Sequence, residues 1–392
     1  MEAKVEAAVG GGDYAALASI FGQQGTGSWQ TLGQGEQRTL SSCFVRAAVS
    51  SPTFLPAAFS SEDAMGAMTA ALGHLPPAVE NAADNVLRQR LFDYKVGEEE
   101  DYSGAARVLG GLRMDGAEGG AYWRSAADRC DVYVKIAECY LEEDETVEAD
   151  AAVTKAGAVA EAIPDPENHA ALILRYKSTY ARVLDANRKF LQAASRYHDL
   201  SQSPTDLIDA DDLLHMLGRA ATCAILAPSG PQRQRVLGQV YKDERLSQLD
   251  VIPQFETHSS VLTKMYMNQV LRKDDDLAKF ESGLPVHARA VMGDGLTIIE
   301  RAVMEHNMVA VSKIYASIYF KELGNLLGVE AEKAEKVAAK MVMDGSIAAS
   351  IDEVDGIITF RNTTDSALLQ WDDSITSFCA HLNRICDTIR GN

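Results

Sequence analysis

The feature that most constrains this chain is a spacing. Three short segments align at a constant interval: Asp101-Tyr102-Ser103-Gly104-Ala105-Ala106, Glu145-Thr146-Val147-Glu148-Ala149-Asp150 and Lys189-Phe190-Leu191-Gln192-Ala193-Ala194. Tyr102, Thr146 and Phe190 are 44 residues apart, and a small residue recurs at Ala105, Ala149 and Ala193. A helix-like apolar stretch precedes each, over Leu87 to Val96, Val132 to Leu141 and Leu172 to Leu184. Polar turns join them at Glu98 to Asp101, Glu142 to Glu145 and Ala186 to Lys189. A repeat of helix, polar turn and helix, with small residues where helices approach, predicts an α-solenoid in which each unit buries its apolar face against its neighbours. The 11 prolines in 392 residues fit a mostly helical chain, because proline is the costliest residue inside a helix.

Upstream of this array, residues 1–84 read as a variable segment with a Gly/Ala-rich start. Glycine clusters at Gly10-Gly11-Gly12 and between Gly22 and Gly35 predict loose structure beyond a short opening helix over Glu2 to Ala8. Residues 85–205 are the repeat array. Downstream, Leu213, Leu214, Leu217, Ala221, Ala224 and Ile225 form a helical stripe. It is broken by Ala227-Pro228-Ser229-Gly230-Pro231, and a further helix runs over Arg233 to Tyr241.

The rhythm then changes. Ile298 to Tyr315 reads as a helix, Ser317-Ile318-Tyr319 as an extended step and Lys321 to Leu327 as a short helix stopped by Gly328. Ala334, Val337, Ala338, Met341 and Val342 mark another helix, ended by Gly345. Ile347 to Ile351 and Ile357 to Phe360 alternate like strands around a turn at Asp352-Glu353-Val354-Asp355-Gly356. Helix, short strand, two helices and a hairpin in this order make a winged helix over 296–362, with a helical part before it over 206–295. Residues 363–392 form one last helix. Its apolar positions Leu368, Trp371, Ile375, Phe378, Leu382, Ile385 and Ile389 alternate in spacings of 3 and 4, an a/d seam suited to bundling with other helices. Trp371 and Phe378 are the aromatic anchors expected of a protein interface.

This order of helical repeats, winged helix and terminal helix resembles the PCI-domain proteins, scaffold subunits of the proteasome lid, the COP-nine signalosome and translation initiation factor three. Within that family several strings resemble the signalosome's fourth-subunit branch. They are Cys223-Ala224-Ile225-Leu226, then Gly230-Pro231-Gln232-Arg233-Gln234-Arg235-Val236-Leu237, Tyr241-Lys242-Asp243-Glu244-Arg245, Glu300-Arg301-Ala302-Val303-Met304-Glu305-His306-Asn307, Glu322-Leu323-Gly324 and Ala334-Glu335-Lys336. Tyr180-Ala181-Arg182-Val183-Leu184-Asp185 with Arg188-Lys189-Phe190 also fits. The likeness covers about residues 85–390. It implies a non-catalytic subunit of an assembly that removes Nedd8 from cullin–RING ubiquitin ligases in cytoplasm and nucleus. It implies a winged helix that contacts other PCI subunits, a terminal helix that joins a bundle of all the subunits, and repeats that face the cullin–RING substrate. The same fold leaves open a subunit of the proteasome lid or of initiation factor three.

The residues themselves supply little chemistry. The eight histidines are His74, His169, His198, His215, His258, His287, His306 and His381, and no two lie within four residues of each other. A zinc site of the HxH or HExxH kind is therefore not encoded, and no metal or cofactor is expected. No GxxxxGK[ST] or GxSxG string occurs. His306, beside Glu305 and Asn307, is expected to be a structural hydrogen-bonding residue. The acidic turns lack the spacing of a calcium loop and are expected to face water.

Charge bears on the remaining class, a winged helix that reads nucleic acid. The chain carries a formal −19, a field that repels phosphate backbones. The candidate recognition helix over 330–344 sets Glu330, Glu332, Glu335 and Asp344 against Lys333, Lys336 and Lys340, so protein contact is the expected use. The sharpest basic cluster, Arg233, Arg235, Lys242 and Arg245, reads equally as a salt-bridge surface or a phosphate site. Cys43, Cys130, Cys139, Cys223, Cys379 and Cys386 form no CxxC pair and read as reduced, buried thiols of an intracellular protein. No signal peptide and no run of about 18 apolar residues is evident, so neither membrane nor nucleic acid is expected as a partner.

Overall fold

The computed structural model describes residues 1–21, 32–51, 54–59, 61–76, 79–204, 208–272, 275–293, 295–361, 371–372, 374–382 and 384. The chain divides into two compact units, Met1–Asn187 and Arg188–Asn392.

The first unit opens with five helices: α1 (Glu2–Gly11), α2 (Tyr14–Phe21), α3 (Gln34–Ser50), α4 (Phe54–Ala58) and α5 (Glu62–Gly73). This corrects the expectation of a loosely built start. Gly10 and Gly11 lie in the last turn of α1 and Gly33 precedes α3, while Gly22, Gly25 and Gly27 lie outside the described residues. Gly12 takes φ 66° and returns its N–H to Ala8 and Val9, so it stops α1 instead of weakening it. The helices enclose their own apolar core of Val5, Leu17, Phe44, Leu55 and Met68, all 0–1% exposed. Phe44 lies 5.1 Å from Phe21 and edge-on to Phe54 at 6.1 Å.

The repeats follow as α6 (Ala83–Tyr94), α7 (Tyr102–Gly110), α8 (Ala126–Glu142), α9 (Thr146–Ala160) and α10 (Ala170–Ala186). Leu87 and Leu91 of α6 belong to the first core, whereas Phe92 belongs to a second with Ala105, Ile136, Ala149 and Val153. Ala105 and Ala149 are 0% exposed, as the small-residue pattern requires. In the turns before α7 and α9, Glu100 (φ 53°) and Asp144 (φ 58°) adopt the left-handed conformation, 44 residues apart. Asp101 accepts from Gly104 N–H at 2.8 Å and so caps α7, while Lys95 Nζ sits 2.7 Å from its carboxylate. Those two contacts hold the Asp101 carboxyl below its ordinary pKa. Along α8 and α10, Arg175 pairs with Glu138 and with Asp131, and Arg182 with Glu142. These pairs are partly exposed and contribute register more than energy.

A buried polar cluster ties the loop between α7 and α8 back to α6. The Asn85 side chain donates to Arg113 O at 2.8 Å and accepts from Arg113 N at 3.1 Å. Tyr122 donates to the buried Asp84 carboxylate at 2.9 Å.

The second unit begins with α11 (Phe190–Ser201) and α12 (Ala210–Leu226). Phe190 starts α11 44 residues after Thr146 starts α9, Arg188 (φ 59°) repeats the left-handed turn and Ala193 is fully buried. Then come α13 (Pro231–Tyr241), α14 (His258–Tyr266), α15 (Asp275–Gly283) and α16 (Ile298–Ile314). Pro231 stands at the start of α13, where its missing N–H costs nothing. Gly218 of α12 is required by packing: a Cβ there would lie 2.6 Å from the Phe255 ring. Thr297 and Glu300 close α16 with a reciprocal capping box.

The end of α16 enters the winged helix. β1 (Ser317–Tyr319) is followed by α17 (Phe320–Leu327), α18 (Ala331–Met343), β2 (Ala349–Asp352) and β3 (Ile357–Phe360). The sheet is antiparallel with order β1-β3-β2, Ile318 and Ile351 both facing Ile358 in register. Met308, Val311, Ile318, Phe320, Leu323, Ala334, Ala338, Met341, Ile358 and Phe360 form its core. Gly324 permits the close turn between α17 and α18, since a Cβ there would stand 2.8 Å from Val329 O.

Candidate functional site

The terminal segment is helical at residues 371–372, 374–382 and 384. Of the seven seam residues, Trp371, Ile375, Phe378 and Leu382 lie on it, spaced 4, 3 and 4, and they are 71%, 47%, 65% and 45% exposed. Leu368, Ile385 and Ile389 lie outside the described residues. Large apolar side chains at helical spacing therefore stand exposed along one stretch of this helix. Cys379 on the same helix is exposed, which corrects the expectation of a buried thiol. Among the described residues no element covers it. Cys43, Cys130, Cys139 and Cys223 are buried, and burial raises the thiol pKa of Cys139 to about 11. Cys386 lies outside the described residues.

In the winged helix, β1 and β2 each leave one edge unpaired. Ile314, Tyr315 and Tyr319 beside β1 are 69%, 42% and 55% exposed. The wing is acidic: Asp352, Glu353 and Asp355 are exposed around a fully presented Val354, and Asp352 Oδ1 accepts from Val354 N and Asp355 N. On α18 the exposed charged side chains are Glu332, Lys333, Lys336 and Lys340, three positive against one negative, with Glu335 half-buried among them. The acidic wing offers none of the positive charge of a phosphate-tracking face.

The basic cluster does not form one patch. Arg233 turns inward and is 3% exposed, its guanidinium donating to Ala224 O and Ile225 O at the C-terminus of α12. Burial lowers its pKa to about 10. Arg245 binds Asp243 through Nη2 at 2.7 Å and Nε at 3.0 Å and reaches Ser201 O at 2.7 Å. Only Arg235 and Lys242 remain exposed.

Glu305, His306 and Asn307 are buried together on α16. Glu305 accepts from Ser229 N at 2.9 Å and from Arg301 Nε at 3.0 Å. His306 Nε2 donates to Gln269 O at 2.8 Å. Asn307 accepts from Leu271 N at 2.8 Å and donates to Leu271 O at 2.7 Å. Three adjacent side chains thus pin two irregular segments onto α16, and His306 has the structural role expected of it. Burial lowers the His306 pKa to about 4, with the Arg233 and Lys313 charges acting in the same direction. Among the described residues, no group of three or more His, Cys, Asp or Glu converges as a metal site. No helix among them is long and apolar enough to cross a membrane.

The PCI domain family matches residues 257–362, and the family described as PSMD12/CSN4, N-terminal, matches residues 79–211. COP9 signalosome complex subunit 4 of Dictyostelium discoideum is 39% identical over 292 residues, 74% of this chain and 69% of that protein. The chain belongs to the COP9 signalosome subunit 4 family. Its members from Arabidopsis thaliana and Drosophila melanogaster are 38% and 37% identical, over 77% and 74% of this chain and 73% and 67% of their own lengths. In this chain the PCI match ends at residue 362, so the exposed helical residues 371–372, 374–382 and 384 lie just beyond it.

Proposed function

We propose that this chain is the non-catalytic PCI scaffold subunit of a signalosome, and that it supports removal of Nedd8 from cullin–RING ligases by assembly and substrate positioning. The isopeptidase belongs to another subunit in this reading. The winged helix over 296–362 meets sister PCI subunits, the helix over 363–392 enters a shared bundle, and the repeats over 85–205 face the ligase. The assembly works in cytoplasm and nucleus without nucleic acid or membrane as partner. The observation that carries the reading is the uncovered stripe of Trp371, Ile375, Phe378 and Leu382 directly after a complete winged helix. A helix that leaves four large apolar side chains in water is stabilised by burying them against other helices.

The test is co-assembly. A tagged full-length chain is expected to bring down the sister subunits and Nedd8–cullin cleavage from the source cells, while the purified chain alone is inert. Deleting residues 366–392 is expected to abolish co-assembly while circular dichroism shows the rest still folded. A truncated chain that enters the complex at full strength refutes the bundling role. Recovery of proteasome-lid or initiation-factor subunits instead refutes the assignment to a signalosome.

A further inference from the structure

In a chain with 56 acidic and 37 basic residues, one cavity of the second unit is lined by two permanent cations and by no carboxylate. It measures about 270 Å³, is half open to solvent, and its polar wall includes Ser229, Arg233, His306, Lys313 and Ser346. Arg233 is buried, and its two hydrogen bonds to α12 carbonyls use Nε and Nη2, leaving Nη1 without a hydrogen bond among the described residues. Lys313 is exposed at the mouth, with Nζ 2.8 Å from Asn268 Oδ1. Glu305, the nearest acid behind Ser229, is held by Arg301 and by Ser229 N and lines a neighbouring cavity instead.

Two further features converge on the same space. Helix α13 starts at this wall with Gly230 and Pro231, and no side chain caps it. Pro231 has no N–H, so the N–H groups of Gln232 and Arg233 and the positive end of the helix dipole are what this start can offer an anion. Among the described residues the buried Ser229 hydroxyl beside this space has no hydrogen-bond partner. A buried guanidinium, a lysine at the mouth, an uncapped helix start and an orphan hydroxyl around one half-open cavity form a coherent donor set for a tetrahedral oxyanion.

We propose that this cavity binds a phosphoryl group, carried by inorganic phosphate or by a small phosphomonoester. Arg233 and the α13 N-terminus hold the buried oxygens, Ser229 donates its hydroxyl hydrogen, and Lys313 closes the mouth. The site is distinct from the exposed terminal helix, so its occupancy does not depend on the scaffold reading.

The experiment titrates the full-length chain with inorganic phosphate and, separately, glycerol 2-phosphate, at ionic strength held constant with chloride, and follows phosphorus NMR line broadening. Saturable binding of either probe is expected. Lys313→Gln, at an exposed position, is expected to weaken it about tenfold, the scale of one charge-assisted hydrogen bond. Ser229→Ala is expected to weaken it severalfold, and Lys242→Gln, an exposed lysine outside the cavity, to leave it unchanged. Saturation that responds in this order supports the site. Absence of saturation by about 10 mM of both probes, or equal weakening by Lys313→Gln and Lys242→Gln, overturns it.

Discussion

Replacing Asn307 by alanine isolates what the polar face of α16 does. Asn307 is 2% exposed, and its amide returns both a donor and an acceptor to the backbone of Leu271, itself 6% exposed. Alanine leaves a buried N–H and a buried C=O without partners. At about 1–3 kcal/mol for each orphaned group, the expected loss is about 3–4 kcal/mol. That is a large fraction of the stability of a typical domain. Asn307→Asp is sharper still. A carboxylate accepts from Leu271 N but sets a negative charge against Leu271 O, so it costs about as much as alanine at neutral pH. Once protonated, the aspartic acid copies the amide: one oxygen accepts and its O–H donates to Leu271 O. Burial raises the pKa of that carboxyl in the folded state. Its contribution is therefore present at low pH and lost as pH rises through the folded value. The assay is urea unfolding of the full chain with hydrogen exchange read over residues 268–272. Asn307→Ala is expected to lower the midpoint and expose that segment first, and the gap between Asn307→Asp and the parent is expected to narrow on acidification. A loss below about 1 kcal/mol for alanine, or a gap that does not change with pH, refutes the argument.

Other outcomes follow from the same geometry. His258 and His306 both have pKa values lowered to about 4 from the ordinary 6.5, mainly by burial. The unfolded state then binds more protons between those values, so stability is complete above about pH 6.5 and is lost toward pH 4, by roughly 3 kcal/mol per histidine at the limit. His306→Gln, which keeps a donor for Gln269 O, is expected to halve that slope in urea midpoints measured from pH 7 to pH 4.5, and an unchanged slope rules His306 out as a source. Gly218→Ala drives a Cβ into the Phe255 ring and is expected to cost about 1–3 kcal/mol, readable as a lower thermal midpoint. Trp371→Ala and Phe378→Ala are each expected to weaken co-assembly by about 2 kcal/mol, near thirtyfold, in a competition pull-down. The thermal midpoint of the isolated chain should not move, because both side chains are more than half exposed, and a matching loss of stability would assign them to its own core.

The repeats were legible because their signal is periodic: Ala105, Ala149 and Ala193 recur at 44 residues, and each is fully buried. The winged helix was legible because Gly328, Gly345 and the Asp352 to Gly356 turn divide it at the places where the backbone reverses. Of the opening five helices only α1 was expected, because glycine density was read as loose structure. Packing of Leu17, Phe44 and Met68 outweighs that cost. Inward and outward directions in the basic cluster were also hidden, since Arg233 and Arg235 are alike in sequence while one is buried and the other exposed. The phosphoryl cavity draws Ser229 and Arg233 from the start of α13 and His306 and Lys313 from α16, and no local string announces such a grouping.

The left-handed turn residues Glu100, Asp144 and Arg188 carry one further consequence. The same backbone posture is held by two acids and one base, although glycine adopts it with least strain. Geometry at this point is therefore inherited from the repeat, while the side chain is free to vary. Each turn is a standard socket into which a charge of either sign fits without disturbing the helices that flank it. Swapping Asp144 for lysine would re-label one rung of the ladder and leave its carpentry intact.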